Sequence, residues 1–410
     1  MLEEMLDPGL GHADSLVSRE PEGKVLDQAL EQLVGGDPAA SRRWAQEALA
    51  VADQCGSAGQ HAAVLGLLAS ADAITGDVPG AVAHLTDAIA LLDGMLDSEL
   101  EQRLDAAAWV SRSEYLLERP QSALRHLDRG LALAHDHGRV LAMAPLLIAR
   151  VLVLRDTGRL AEASAAAEEA VEVAMLSGSD EQEAAAQALR CWVATWTGDL
   201  PVARAAAAAA AGRWPRPPHC WLASLAARTL ADARLAMGDP EGCLALAEPA
   251  AGELPKAATW ERVGWYELLT RAELAAGHAL AATRWAADAA AAARPGSLPG
   301  RTGLALFARA LAVSSADPLA AYDLAVAAHD ALGAAGMDLD AARAQLAGAA
   351  ALTACGKPDQ AAADAREAQA VFHSRGAAPF ARTAAVLRRR IAANGPRHDR
   401  EGADPQAASC

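Results

Sequence analysis

Small side chains recur at fixed distances from a repeated break in the helical pattern of this chain. Breaks such as "GDV" at Gly76 and "GKP" at Gly356 return nine times, at intervals of 39 to 42 residues. The positions five and twelve residues after each break are always small, as at Ala81 and Ala88. The position seven residues before the break follows a similar rule, with Arg309 as its one misfit. A regular repeat of this kind is typical of a solenoid.

Each interval predicts one helical hairpin. Small residues at fixed places let two helices approach closely, and Gly followed by Asp or Pro ends one helix and starts the next. We therefore predict an all-α, right-handed solenoid of about nine hairpins with a period of about 40 residues, over residues 25–395. We expect a flexible arm before it (1–24), a disordered tail after it (396–410) and a closing helix near 379–393.

The repeated unit also carries a family resemblance. A Gly turn followed by Ala five and twelve residues later resembles the tetratricopeptide repeat, whose usual unit is about 34 residues. The longer unit resembles the helical-repeat region of the large ATP-binding LuxR-type transcriptional regulators, as in stretches 144–174 and 376–390. That resemblance implies a sensor or interaction module. ATP hydrolysis and promoter binding are not carried over from those regulators, because the chain lacks G-x-x-x-x-G-K-[ST] and the polar stretch "NGPRHDREGADPQAASC" has no apolar period.

Charge and composition exclude further classes. The net charge is −16 and the one short basic run is 388–390, so we expect no direct nucleic-acid binding. The six cysteines include no C-x-x-C pair, which favours a reducing compartment. The N-terminal segment lacks the basic start and apolar stretch of a signal peptide, and the most apolar run, 140–154, is too short to span a bilayer. We expect a cytoplasmic protein without a membrane segment.

Standard catalytic and metal-binding signatures are absent from the sequence. His135 and His137 form an "HDH" stretch, but side chains two residues apart on a helix do not face each other. We interpret them as residues of a helix end beside Gly138 rather than as metal ligands. No catalytic residue, metal or cofactor is predicted.

The first helix of each hairpin should line the concave face, where charges of both signs recur. Arg228 and Asp232 are spaced four residues apart, as are Glu267 and Arg271 one unit later. Stacking should bring Arg228 to Glu267 and Asp232 to Arg271. We favour a self-neutralised charge lattice, in which each exposed pair contributes only about 0.2–0.5 kcal/mol. The alternative is a polar patch for a ligand that carries both charges.

Two tryptophans, Trp192 and Trp196, share the same inward stripe with Arg112, Tyr115 and Arg155. A tryptophan is usually a core residue. The small residues on the packed face leave little room for an indole, however, so groove lining and core packing are equally favoured.

These features predict a non-enzymatic binding scaffold or effector-sensing module, with a peptide, partner protein or small effector in its groove and a role in transcriptional regulation. The alternative is an enzyme or small-molecule-binding protein that uses the same inner-face pocket, with Asp232 and Glu267 as acid and base. A homodimer is a further possibility. The candidate binding residues are Arg112, Tyr115, Arg155, Trp192, Trp196, Arg228, Asp232, Glu267 and Arg271.

Overall fold

The structure, a computed structural model, describes residues 21–34, 37–212, 221–253, 259–293 and 298–394. These residues form α-helices joined by short turns. The helices are α1 (Pro21–Val34), α2 (Pro38–Cys55), α3 (Ala58–Thr75), α4 (Val78–Gly94), α5 (Asp97–Leu100), α6 (Leu104–Leu116), α7 (Pro120–Asp136), α8 (Val140–Asp156), α9 (Leu160–Ser177), α10 (Asp180–Thr197), α11 (Leu200–Gly212), α12 (Trp221–Ala236), α13 (Pro240–Glu253), α14 (Thr259–Ala275), α15 (Ala279–Ala293), α16 (Pro299–Val313), α17 (Pro318–Ala334), α18 (Asp338–Ala354), α19 (Pro358–Ser374) and α20 (Ala378–Asn394), with a 3₁₀ turn, Glu101–Arg103, between α5 and α6.

Consecutive long helices pack as hairpins, from α1 with α2 to α18 with α19. Within the described ranges this gives nine hairpins, with the short α5 inserted before α6 and α20 closing the array. The predicted all-α, tetratricopeptide-like solenoid is therefore confirmed. The predicted arm 1–24 and tail 396–410 lie outside the described residues, except that α1 already begins at Pro21.

The turn between α3 and α4 shows why "GD" marks the breaks. Gly76 has φ of 95°, a left-handed conformation that costs a glycine little, and its amide donates to the carbonyl of Asp72 at 2.9 Å. The side chain of Asp77 then accepts a hydrogen bond from the amide of Gly80 at 3.1 Å, which caps the next helix. Gly76 thus caps the end of α3, and Asp77 caps the start of α4.

The two small-residue columns lie at the contacts between helices. Ala81 and Ala88 are both fully buried, and the described members of both columns in the other hairpins are buried as well. Arg309, the misfit of the third column, is exposed, and its neighbour Ala308 is fully buried. This exception has a local cause. Helix α16 ends at Val313, three residues before the break at Ala316, so the position seven residues before the break falls on an exposed residue.

The solenoid winds tightly enough to contact itself. The first helix of a hairpin touches the first helix five units further on: α1 contacts α12, α3 contacts α14, α8 contacts α18 and α10 contacts α20. Helices α6 and α16 follow the same rule, because the guanidinium of Arg301 donates to the carbonyl of Leu116 at 3.1 Å. The concave face is thus covered by the next part of the superhelix rather than left as an open groove.

Glu118 strengthens this closure at a position where most other breaks have glycine. Its φ is 57°, which makes it the one non-glycine residue with positive φ in the described part of the chain. Its carboxylate accepts hydrogen bonds from the amides of Gly300 at 2.7 Å and Arg301 at 3.1 Å. A glycine at 118 would fit the turn but would have no side chain with which to make this link.

No helix among the described residues combines the length and the apolar run that a bilayer span requires.

Candidate functional site

The self-contact of the superhelix forms a charged, partly open cavity of about 130 Å³ between the first helices of the hairpins. Its walls come from both sides of the self-contact, with α6, α8, α10, α12 and α14 on one side and α16 and α18 on the other. Of the predicted site residues, the cavity brings together Tyr115, Arg155, Trp192, Arg228, Asp232, Glu267 and Arg271. Arg112 lines a smaller chamber that adjoins this cavity, and Trp196 lines a larger one.

Asp232 is the centre of the first group of contacts. One carboxylate oxygen accepts a hydrogen bond from Nε1 of Trp192 at 2.6 Å, and the other accepts from Arg271 at 2.7 Å. Arg271 also pairs with Glu267 at 2.6 Å within α14. The expected meeting of Asp232 with Arg271 is therefore confirmed, and it joins three successive hairpins.

The second group of contacts crosses the superhelix. Arg343 of α18 pairs with Glu267 at 3.3 Å and with Asp340 at 2.6 Å. Asp340 in turn accepts a hydrogen bond from Arg155 at 2.6 Å, and Arg155 also contacts Asp156 at 2.8 Å. A continuous chain of ion pairs thus connects hairpins that lie far apart in sequence.

These contacts fix the charge state of the two central carboxylates. Burial alone would raise the pKa of Asp232, but Arg271, Arg343 and Arg155, with the hydrogen bond from Trp192, hold it well below its usual range. The pKa of Asp340 is lowered against burial in the same way, by Arg155 and Arg343. Both are ionised carboxylates that accept hydrogen bonds and are poorly suited to donating a proton.

The two inward tryptophans are buried, each with 2% of its surface exposed. The guanidinium of Arg155 lies 4.3 Å from the ring centre of Trp192 and 4.2 Å from that of Trp196. Trp196 also stacks on Phe380 of α20 with ring centres 4.3 Å apart. The indoles are thus core residues of the closed superhelix that also face the cavities, because closure removes the distinction between groove and core at this place.

The expected contact between Arg228 and Glu267 is not among the ion pairs of the described residues. The guanidinium carbon of Arg228 lies 5.8 Å from the ring centre of Trp192, whereas the described ion pairs of Glu267 come from Arg271 and Arg343. The side chain of Arg228 also passes within 4.0 Å of the position that a Cβ on Gly264 would occupy.

Tyr115 and Arg112 lie at the other end of the cavity, on α6. The hydroxyl of Tyr115 donates to Asp156 at 3.1 Å, and burial followed by the charge of Asp156 raises its pKa well above the usual range. The guanidinium of Arg112 lies 3.9 Å from the ring centre of Trp221. Burial lowers the pKa of Arg112 to about 10, although Glu261 and Tyr115 oppose that shift.

Five residues at the self-contact were not predicted from the sequence: Glu118 on the α6 side, and Gly300, Arg301, Asp340 and Arg343 on the side of α16 and α18. Two signals were present in the sequence. Glu118 occupies a break position where most breaks have glycine, and Asp340 and Arg343 form an i,i+3 pair of opposite charge on a first helix.

His135 and His137 are held apart by different partners. His135 contacts Glu169 at 2.6 Å, and His137 lies 3.6 Å from Glu101. Across the described ranges, no group of three or more His, Cys, Asp or Glu side chains is arranged to hold a metal ion.

Comparison with solved structures finds similar chains at low sequence identity. The chain is similar to a Rap protein complexed with Competence and Sporulation Factor, with a TM-score of 0.59 and 12% identity over 91% of this chain and 99% of that one. It also matches a tetratricopeptide repeat protein from Parabacteroides merdae, with a TM-score of 0.42 and 14% identity over 71% of this chain and 98% of that one. Comparison with family models and with curated proteins gives no match. The chain therefore has the all-α, tetratricopeptide-like solenoid fold of the Rap protein.

Proposed function

We propose that the chain is a non-enzymatic binding module that holds an elongated ligand, a peptide or a small effector, inside the closed superhelix. The observation that carries this proposal is the line of three adjoining chambers along the inner face. The charged cavity shares Tyr115, Leu116 and Arg228 with an apolar chamber of about 50 Å³. It shares Asp232, Arg271 and Arg343 with a third chamber of about 310 Å³ beside Trp196 and Phe380.

The lining of these chambers suits a polar, extended ligand. The central walls carry both charges at close spacing, so a peptide backbone finds donors and acceptors along its path. The ion pairs hold the charged side chains of the wall in fixed positions, which keeps the site pre-organised and lowers the entropic cost of binding.

An enzymatic role has less support from the same residues. An acid–base mechanism here would use Asp232 and Glu267, and the guanidinium of Arg271 occupies both carboxylates. Burial would raise the pKa of Asp232, but the charges of Arg271, Arg343 and Arg155 lower it, so near neutral pH this carboxylate is ionised and has no proton to donate as a general acid.

The fold comparison supports binding by analogy. The Rap protein with this fold was crystallised in complex with Competence and Sporulation Factor, and the match covers 99% of that chain. At 12% identity the likeness establishes the fold alone, so the chemistry of any ligand must come from the residues of this chain.

A substitution at Gly264 tests the proposal without disturbing the charge lattice. Gly264 lines the central cavity on α14, and a Cβ there would meet its nearest neighbour, Arg228, at 3.8 Å. Gly264→Leu should therefore fill the cavity while gaining about 1 kcal/mol of helix propensity. Gly264→Ala, which gains the same propensity and fills little space, is the matched control.

The measurement is native mass spectrometry after incubation with the low-molecular-mass fraction of the source cells. Wild type and Gly264→Ala are expected to retain the same adduct, and Gly264→Leu is expected to lose it while unfolding at an equal or higher temperature. An adduct that Gly264→Leu retains, or no adduct on the wild type, would contradict the proposal.

We further propose a setting in transcriptional regulation, which the unit length of about 40 residues supports through its resemblance to the helical-repeat region of LuxR-type regulators. Deleting the gene should change the level of specific transcripts. Wild type should restore them and Gly264→Leu should not, whereas equal restoration by both would separate regulation from the cavity.

A further inference from the structure

One arginine of the charged cavity has no partner for its guanidinium group. Five arginines line this cavity, and four of them are engaged by other groups of the protein: Arg155, Arg271 and Arg343 by carboxylates, and Arg301 by the carbonyl of Leu116. The fifth is Arg228, and within the described ranges no hydrogen bond or ion pair joins it to another residue. Its guanidinium carbon lies 5.8 Å from the ring centre of Trp192.

One carboxylate of the same wall is also without an ionic partner. The other five are engaged: Asp156, Asp232, Glu267 and Asp340 contact arginines, and Glu118 accepts two backbone amides. Glu261 accepts one hydrogen bond, from the hydroxyl of Ser224 to Oε2 at 3.2 Å. In the described part of the chain, Oε1 of Glu261 contacts no donor, and no ion pair links Glu261 to Arg228.

The free atoms of both side chains can be reached by a ligand. Arg228 and Glu261 are half-buried. Neither contributes an atom to the described set of unpartnered side-chain nitrogens and oxygens that are shielded from solvent. The guanidinium of Arg228 and Oε1 of Glu261 therefore keep accessible surface, and both residues line the same partly open cavity.

Gly264 leaves space beside these two groups. It follows Glu261 by three residues on α14, hence lies on the same side of that helix, and it also lines the cavity. A Cβ at this position would have Cδ and Nη1 of Arg228 as its nearest neighbours, both at 3.8 Å. The guanidinium thus borders the space that a side chain at position 264 would occupy.

The charges of the two groups act on each other without contact. Burial raises the pKa of Glu261, and the charges of Arg112 and Arg228 oppose that rise. The charge of Arg228 also reaches Asp156, but Arg155 and the hydroxyl of Tyr115 occupy the oxygens of that carboxylate. A ligand with a negative group for Arg228 and a positive group for Glu261 compensates both charges, whereas an uncharged amide compensates neither.

The cavity has the right size for a small zwitterion. Its volume of about 130 Å³ approaches the roughly 150 Å³ of an apolar protein cavity that binds benzene, a molecule about as large as alanine. Because the cavity is partly open, a longer side chain can extend beyond it.

We propose that Arg228 and Glu261 bind an α-amino acid group, in which the carboxylate accepts from Arg228, the ammonium donates to Glu261, and Gly264 provides the space. The inference rests on the proposed function, since it names the chemistry of the ligand in the central cavity. Two sources supply this chemistry, a free amino acid and a larger effector that carries an amino acid group at one end.

The test measures binding of matched ligands by ligand-observed NMR. L-alanine represents a free amino acid, and Nε-acetyl-L-lysine represents a larger effector. Each zwitterion is compared with its amide, which lacks the carboxylate, and with its Nα-acetyl form, which lacks the ammonium. The proteins are wild type, Arg228→Gln, Glu261→Gln and two charge-matched controls at exposed positions, Arg366→Gln and Glu172→Gln.

We expect wild type and both controls to prefer the zwitterion over each blocked form by about tenfold or more, the value of one hydrogen bond between charged groups. Arg228→Gln should lose the preference over the amide and keep the preference over the Nα-acetyl form. Glu261→Gln should show the reverse. Tighter binding of Nε-acetyl-L-lysine than of L-alanine identifies a larger effector, and the opposite order identifies a free amino acid.

Three results would overturn the inference: no binding of either zwitterion to wild type, equal binding of zwitterions and blocked forms, or cavity variants that keep the preference they should lose. The two variants act on different ends of the ligand, so one of them is sufficient if thermal unfolding shows that the other folds poorly.

The variant Gly264→Leu and the adduct experiment separate this result from the proposed function. Gly264→Leu should bind neither zwitterion, because its side chain occupies the same space. If native mass spectrometry finds a Gly264-dependent adduct but wild type shows no preference for the zwitterion, the ligand assignment fails and the binding function stands. If the zwitterion binds with the expected preferences and the cell fraction yields no adduct, the proposed function fails and the ligand assignment stands.

Discussion

The side chains of Arg155 and Asp340 are 185 positions apart in the sequence and meet at 2.6 Å, with 5% and 3% of their surfaces exposed. The contact joins hairpins that lie five units apart, and it closes the cavity from one side to the other. Because both groups are buried, each depends on the other to offset the cost of leaving water.

Removing Asp340 should therefore destabilise the fold. Asp340→Ala leaves the buried Arg155 with Asp156 as its remaining acidic contact, and we expect a loss of about 3 kcal/mol in the free energy of unfolding, measured by urea denaturation. The control is Glu168→Ala, which breaks the exposed pair of Glu168 with Arg190 and should cost about 0–1 kcal/mol. Equal losses in the two variants would show that burial of the pair is unimportant.

The link from Glu118 to Gly300 predicts an order of stability. Glu118→Ala loses both hydrogen bonds and keeps the left-handed backbone, which costs about 1 kcal/mol or more in a residue other than glycine. Glu118→Gly loses the bonds and relieves that strain. Thermal unfolding should rank wild type above Glu118→Gly, and Glu118→Gly above Glu118→Ala. A glycine variant more stable than wild type would show that the link contributes less than the strain costs.

The burial of Trp196 predicts that its removal lowers the free energy of unfolding more than removal of Trp44, which is more exposed. Trp196→Ala removes a ring that is 2% exposed and packs between Arg155 and Phe380, so a loss of about 3–5 kcal/mol is expected on chemical denaturation. Trp44 is 37% exposed, and Trp44→Ala should cost much less. Similar costs would place Trp196 outside the packed interior.

His126 should make stability depend on pH. Its ring nitrogens lie 2.8 Å from Glu114 and 3.0 Å from Asp93, with Arg125 also in contact. Burial opposes the charged form, but the two carboxylates prevail and raise the pKa above the ordinary 6.5.

A raised pKa in the folded state adds stability that is fully present below pH 6.5 and is lost as the pH rises through the raised value. The free energy of unfolding of wild type, measured across that range, should fall more steeply with pH than that of His126→Gln. Parallel curves would contradict this assignment.

The sequence predicted the local architecture because each hairpin is specified by its own residues. Gly76 and Asp77 form one turn through contacts with their own neighbours in sequence. Ala81 and Ala88 lie at the contact between α4 and the adjacent helices. The pairing of Asp232 with Arg271 could be predicted for the same reason, since it joins neighbouring units.

The closure of the superhelix could not be predicted in this way. Whether Arg155 meets Asp340 depends on the rotation that accumulates over five units, and small differences in each hairpin sum to a large displacement. For that reason the sequence favours groove lining and core packing equally for Trp192 and Trp196, whereas the structure buries both indoles beside the cavities and stacks Trp196 on Phe380 of α20.

A crystal structure of the chain grown with the low-molecular-mass fraction of its source cells would test the central claim most directly. We predict continuous ligand density through the charged cavity beside Arg155 and Asp340, with these two side chains still in contact. Density confined to the outer surface of the solenoid, or an open groove with Arg155 and Asp340 separated, would contradict the account.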